Sequence, residues 1–261
     1  MNAEPVTAGA LSLDVVGAGP AFTDRPGATG AAYLVRSGAT AILLDLGQGS
    51  FPRLAGLLDP GMLDAVVVSH LHSDHFIDLV SLRHYLRWGP GHPRRVRVLG
   101  PAGLGDRLDA LHAERGFSAA ALDIETIVPG PMAIGSLTLQ STPVTHAGDS
   151  FAFRLASSDG RGAGLVYSGD CGRAEDLEAL IQTGDALLCE VSFGPGPVPP
   201  GAAHLDGPSV GRLAARTGVS RILLTHLLMS FDTAETIASV RKVFDGPVDL
   251  VVPGDQLTVG R

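Results

Sequence analysis

The chain has 261 residues, 45% hydrophobic and 18% charged, enough to bury a large core and consistent with one globular domain over 1–261. Its formal net charge of −8 disfavours a polyanionic partner such as RNA, because non-specific nucleic-acid affinity rests on Lys and Arg that release counterions. Two cysteines are too few for a disulfide scaffold, no apolar run approaches the roughly 18 residues of a membrane span, and no Lys or Arg precedes Arg25, so a cytoplasmic protein without a membrane partner is expected.

Residues 1–10 read as a loose tail, and residues 11–16, apolar at Leu11, Leu13 and Val15, as a strand. Gly17-Ala18-Gly19-Pro20-Ala21 has the outline of a dinucleotide loop, but Phe22 takes the third glycine position and Thr23-Asp24-Arg25-Pro26-Gly27 opens no helix, so a nucleotide cofactor is not expected. Residues 31–36 and 41–45 form a hairpin pattern about Ser37-Gly38, and Ser50 is expected to cap a helix over 51–58.

Residues 65–68 are a short β-branched run of the kind found in buried strands, and they lead into Ser69-His70-Leu71-His72-Ser73-Asp74-His75. On extended chain, residues two apart share a side, so His70 and His72 converge and Asp74 follows if the chain stays extended. His75 has the wrong parity and joins only if the chain turns, which the helical spacing of Leu79, Leu82, Tyr85 and Leu86 within 76–88 leads one to expect. Imidazoles with a carboxylate suit zinc, with manganese or iron as alternatives. Arg83, Arg87, Arg94, Arg95 and Arg97 form a basic stretch that serves either as a solvated face or as an attractor of substrate phosphate. His84, His92 and His112 have no partner pattern and read as surface or core residues.

Beyond these, strands are expected at 96–99, 137–143, 151–155, 164–167, 186–190, 221–225 and 248–252, and helices at 103–115, 175–182, 208–217 and 233–244. The strand at 137–143 runs towards His146, that at 164–167 ends in Ser168-Gly169-Asp170, and that at 221–225 ends at His226. With the first cluster these make five His and two Asp, enough for two metal ions. Cys171 adjoins Asp170, and since the carboxylate already supplies a ligand there, the thiol reads as small buried packing. The Gly/Pro-rich run 194–201 excludes regular structure and reads as a long exposed loop, a candidate border of the site. A strand ending in hydroxyl-His occurs twice, at Ser69-His70 and Thr225-His226, suggesting a pseudo-repeat.

His70-x-His72-x-Asp74-His75, then His146, Asp170 and His226 in order, resembles the metallo-β-lactamase superfamily over nearly the whole chain. The resemblance implies an α/β fold, the four-layer αββα sandwich, and two Zn²⁺ (or Mn²⁺ or Fe). His70, His72 and His146 would hold one ion, Asp74, His75 and His226 the other, and Asp170 would bridge. A hydroxide shared between ions roughly 3.5–4 Å apart would attack the substrate, with Asp74 also placed to take its proton. Leu44-Asp45-Leu46-Gly47-Gln48-Gly49 resembles the family's Asp-x-Gly-x-Gly turn, where Asp45 would orient a ligating histidine. His204, with Glu190 to orient it, resembles the additional histidine of the ribonuclease Z-like branch that contacts phosphate and protonates the leaving group. Ribonuclease Z enzymes carry a long tRNA-binding arm between the positions of His146 and Asp170, where this chain has 170 − 146 − 1 = 23 residues. Leu188–Val191 and Phe244–Val248 resemble actinobacterial members associated with cyclic nucleotides. A small phosphodiester is therefore the expected substrate. A tRNA 3′-endonuclease and a lactonase or other acyl hydrolase are the alternatives, and a homodimer is the family's common state.

Overall fold

The computed structural model describes residues 11–91 and 93–259, so the tail reading at 1–10 and the reading of His92 lie outside the described residues. The first half of the chain builds a sheet from β1 (Leu11–Gly17), β2 (Ala32–Ser37), β3 (Thr40–Leu44), β4 (Ala65–Val67), β5 (Val96–Gly100) and β6 (Leu122–Thr126). Its helices are α1 (Phe51–Leu57), α2 (Ser73–Phe76), α3 (Leu79–Trp88) and α4 (Leu104–His112). The second half adds β7 (Gly130–Ile134), β8 (Leu137–Pro143), β9 (Phe151–Ser157), β10 (Leu165–Tyr167), β11 (Ala186–Glu190), β12 (Arg221–Thr225) and β13 (Val248–Leu250), with α5 (Gly207–Thr217) and α6 (Thr233–Arg241). The last strand, β14 (Gln256–Val259), returns to pair antiparallel with β1.

The two seven-stranded sheets run β14-β1-β2-β3-β4-β5-β6 and β13-β12-β11-β10-β9-β8-β7. Alternate residues of both sheets meet in one apolar core, where Leu13, Val15, Tyr33 and Ile42 lie with Phe153, Leu155, Tyr167 and Leu188. The opposite faces pack under helices: Val66, Val68 and Leu43 against Leu79, Leu82 and Leu108 on one side, and Leu187, Cys189 and Leu224 against Val210, Leu213 and Val240 on the other. Two sheets face to face with helices outside make the four-layer αββα sandwich. Both faces of the central parallel strands are buried, which explains their continuous apolar runs. Among the described residues, no helix is long and apolar enough to cross a membrane.

Several local readings change. The segment expected to be helical over 175–182 is a 3-10 turn at Ala174–Leu177, and its remainder folds back onto Asp185, whose carboxylate accepts from Gln182 N at 2.8 Å. The helix expected over 76–88 is two helices, α2 and α3. Ser50 does not cap α1 through its side chain: its hydroxyl donates to Gly30 O at 2.8 Å, and the Phe51 N–H is taken by Asp78 Oδ2 at 2.8 Å. The strands β6, β7 and β14, at sheet edges with much of their surface exposed, are not among the expected strands, although Leu122 and Ile124 in β6 and Leu257 and Val259 in β14 alternate with polar residues.

The basic stretch resolves into a paired, structural surface. Arg94 pairs with Asp59, Arg95 with Asp123 and Arg97 with Glu125, while Arg83 is buried over the Phe117 ring, 4.0 Å from its centroid, and donates to Phe117 O. His84 and His112 border the same Phe117 ring.

Candidate metal centre

The candidate residues gather just past the C-terminal ends of strands, the parallel strands β4, β10 and β12 and the antiparallel β8. β4 ends at Val67, Val68 N–H bonds Leu99 O, and His70 and His72 follow on extended chain. At Ser73 the chain turns into α2 instead of staying extended, so Asp74 and His75 reach the cluster from a helical turn. Two glycines make room for that turn. A Cβ on Gly47 would sit 1.8 Å from Asp74 O, and one on Gly17 would sit 1.9 Å from Gly30 O, the residue beside Ala31 whose N–H holds that same Asp74 carbonyl. The Gly17 loop is thus a packing device, consistent with its failure as a dinucleotide motif. The second sheet supplies His146 after β8, Asp170 after β10 and His226 after β12, the last at φ 58°, in the left-handed region rarely taken by non-glycine residues.

Two main sets of donor atoms result, His70, His72, His146 and Asp170 forming one and Asp74, His75 and His226 the other, while Asp170, His204 and His226 make a third, overlapping group. Asp170 faces both main sets. Its Oδ2 is 3.7 Å from His70 Nε2 and 3.6 Å from His146 Nε2, while its Oδ1 is 3.3 Å from His75 Nε2 and 3.6 Å from His226 Nε2. His146 Nε2 and His72 Nδ1 are 3.1 Å apart, and His226 Nε2 and Asp74 Oδ2 also 3.1 Å. Spacings of 3.1–3.7 Å match the edge of a tetrahedron with a radius of about 2.0–2.1 Å, the bond length of zinc to imidazole nitrogen. His70 Nε2, His75 Nε2 and Asp170 Oδ1 are buried without a hydrogen-bond partner, a costly state for polar atoms that a bound cation removes. By donor type, spacing and orphaned atoms, the residues fit two divalent ions.

Four of the rings, those of His75, His146, His204 and His226, are held from behind. Asp45, fully buried and itself at φ 58°, holds His75 Nδ1 at 2.7 Å and also accepts from Ser69 N, Ser69 Oγ and Tyr167 OH. His146 Nδ1 is 2.8 Å from Ala203 O, and His226 Nδ1 is 3.0 Å from Ser192 Oγ, which donates to Glu190 Oε2 at 2.6 Å. His204 Nδ1 sits 2.9 Å from Glu190 Oε1. That bond occupies the nitrogen nearest Asp170, 4.0 Å away, so His204 stands beside the donor sets with Nε2 unengaged. Glu190 is fully buried and receives N–H groups from Cys171 and Ser192 besides.

Charge follows the same layout. Burial and the neighbouring His75 push the His70 pKa well below the usual histidine value, and burial with His146 lowers that of His72. For His75 and His226 burial pulls the same way, but the facing carboxylates outweigh it and raise both. Burial alone would raise Asp74 and Asp170, yet the histidines hold both below the ordinary carboxylate range. The carboxylates are therefore ionised and seek positive charge, which divalent ions supply. Cys171 takes no part: burial pushes its thiol up to about 12, and its Sγ meets Arg173 O.

All seven candidate ligands, with Asp45, His204 and Glu190, come together as the sequence suggests. The Gly/Pro run reaches a neighbouring pocket through Val198. Tyr167, Ser192 and the Ala203 carbonyl escaped the sequence reading, in which Ser69 figures only as the hydroxyl before His70. Ser192, two residues beyond Glu190, carried a faint signal, while a main-chain carbonyl carries none.

Comparison with known proteins agrees with this picture. A family model described as a Beta-lactamase superfamily domain matches residues 42–227. An uncharacterized protein of Mycobacterium leprae is 34% identical over 90% of this chain and 84% of its own length. A ribonuclease Z of Mycobacterium bovis is 27% identical over 68% of this chain and 69% of its own. The crystal structure of the metallo-β-lactamase fold protein YhfI from Bacillus subtilis superimposes with a TM-score of 0.84 at 23% identity, covering 96% of this chain and 99% of that one, a likeness of fold.

Proposed function

The chain belongs to the metallo-β-lactamase superfamily, as a metallo-hydrolase with ribonuclease Z-like relatives, and on that premise we propose a dinuclear zinc phosphodiesterase acting on small diesters such as cyclic nucleotides. The observation that carries the reading is the His204–Glu190 pair at the edge of the donor cluster, where Glu190 engages the His204 Nδ1 that faces Asp170. His70, His72, His146 and Asp170 Oδ2 would hold one ion, and Asp74, His75, His226 and Asp170 Oδ1 the other, with manganese or iron the alternatives to zinc. Two such ions supply Lewis acidity towards phosphoryl oxygens and a lowered pKa for the attacking water.

The chain's own residues do the rest. Asp74 Oδ2, kept ionised by the bond from His226, accepts the proton of the nucleophile. His204 donates a proton from Nε2 to the departing oxygen, while Glu190 fixes its Nδ1–H and, outweighing the effect of burial, raises its pKa. A departing alkoxide needs that proton, in a phosphodiester as in a lactone, so the pair speaks for an alkoxide leaving group and the likeness to ribonuclease Z for phosphorus as the centre attacked.

The second reading, a ribonuclease Z-like endonuclease, is favoured by the 27% identity to ribonuclease Z. Against it, the interval from His146 to Asp170 holds β9 and β10 and no further strand or helix. Hydrolysis by protein loaded with zinc or manganese, offered 3′,5′-cyclic AMP, a precursor tRNA and an acyl lactone side by side, tests the choice. We expect turnover of the cyclic nucleotide. Cleavage of the tRNA alone would establish the second reading, and turnover of the lactone alone would defeat both.

A further inference from the structure

His204 separates the donor sets from a second cavity of about 370 Å³. Its walls come from the loop after β10 (Gly172, Arg173, Glu175), from Val198 of the Gly/Pro run, and from the start and outer face of α5 (Asp206, Ser209, Arg212, Arg216). That volume lies within the roughly 300–1,000 Å³ of small-ligand sites. Its charge runs against the rest of the protein: three arginines face two carboxylates, in a chain of net charge −8. The pairing is also unlike that at Arg94, Arg95 and Arg97, each of which has a carboxylate partner. Arg216 is paired with Glu178, and the Asp206 carboxylate caps α5 by accepting from Ser209 N at 2.9 Å. Among the described residues Arg212 meets the Ser209 hydroxyl, at 3.0 Å, and neither Arg212 nor Arg173 has an ion-pair partner.

Position gives this cavity a role. A diester whose phosphorus lies at the donor sets and whose leaving oxygen lies at His204 must extend its leaving group past His204, into this cavity. We propose that Arg173 and Arg212 bind a second, terminal phosphate carried on that leaving group, so that the preferred substrates are short phosphodiesters bearing an additional phosphate. Arginine's planar fork suits a phosphate oxygen pair, and two unpaired guanidiniums can meet a dianion without first breaking an ion pair. This rests on the phosphodiesterase reading. A cyclic nucleotide, with one phosphate engaged at the donor sets, would offer this cavity only a neutral nucleoside.

The test uses metal-loaded protein and the dinucleotide ApA, plain or phosphorylated at either end (pApA, ApAp), with bis(p-nitrophenyl) phosphate as a general diester. The proposal expects kcat/KM for one phosphorylated dinucleotide to exceed that for ApA by about tenfold or more, a step of one bidentate charge-assisted contact. In Arg212→Ala and Arg173→Ala that ratio falls below about threefold. Because a ratio of two substrates is read, a general loss of folding or metal moves both alike, and Arg212→Lys should restore part of it. Hydrolysis of bis(p-nitrophenyl) phosphate with all three dinucleotides equal would overturn this inference and leave the phosphodiesterase reading standing. A ratio that survives both substitutions would overturn it too. Failure to hydrolyse any diester with metal bound would overturn both.

Discussion

In the first half of the molecule, four candidate ligands fall within six positions, His70 to His75, and one buried carboxylate, Asp45, holds His75 directly and His70 through Ser69, with a further bond from Tyr167. In the second half, ligands arrive singly from the ends of β8, β10 and β12, and the two histidines have separate anchors: the Ala203 carbonyl for His146, Ser192 for His226. A local cluster concentrates its dependence on one support, whereas a dispersed set spreads it over several. Damage at Asp45 should therefore spread, and damage at Ser192 should stay local.

Asp170 is the one residue both halves share, so its loss should have the largest effect. Asp170→Asn removes a charge facing both donor sets and is expected to cut bound metal from about two ions per chain to one or none, read by elemental analysis after dialysis. Retention of two ions would remove the bridging role. Asp45→Ala comes next. It frees His75 and leaves the Ser69 and Tyr167 donors unsatisfied, so metal affinity should fall about 10–100-fold and stability by about 1–3 kcal/mol in urea unfolding. An effect no greater than that of Ser192→Ala would erase the contrast drawn above. Chelation should lower the melting temperature by about 5–10 °C, because bound cations stabilise only the folded state. Ser192→Ala should weaken metal binding by no more than about tenfold, since His226 keeps its main chain and Asp74 contacts. Smallest of all, Cys171→Ala should leave metal content unchanged, and thiol reagents should reach neither buried cysteine at pH 8 until the protein unfolds.

The same contrast explains what could be read from sequence. The His70–His75 cluster shows itself because its members are neighbours, and Asp45 shows itself because it opens the turn that resembles the family's Asp-x-Gly-x-Gly. His146, Asp170 and His226 were legible as polar residues closing apolar strands. Tyr167 and Ser192 were not, since a core tyrosine and a loop serine have the same sequence appearance whether or not they hold a ligand in place. The arginines mislead in the same way. The run from Arg83 to Arg97 draws attention by density, yet Arg83 is buried, Arg94, Arg95 and Arg97 are ion-paired and Arg87 lies over the Trp88 ring, while Arg173 and Arg212 lie 39 positions apart (212 − 173) and line one cavity through the packing of α5 against the loop after β10. For the fold, the buried central strands were evident from their apolar runs, and the exposed edge strands β6, β7 and β14 were not.

The most direct test of the central claim compares two diesters on zinc-loaded wild type and His204→Ala, with zinc counted in both. p-Nitrophenolate leaves without protonation, and the alkoxide of 3′,5′-cyclic AMP does not. The account predicts that His204→Ala keeps its zinc, loses about 10²–10⁴-fold in kcat on the cyclic nucleotide, and loses less than about tenfold on bis(p-nitrophenyl) phosphate. Equal losses on the two substrates, or no loss on either, would contradict it.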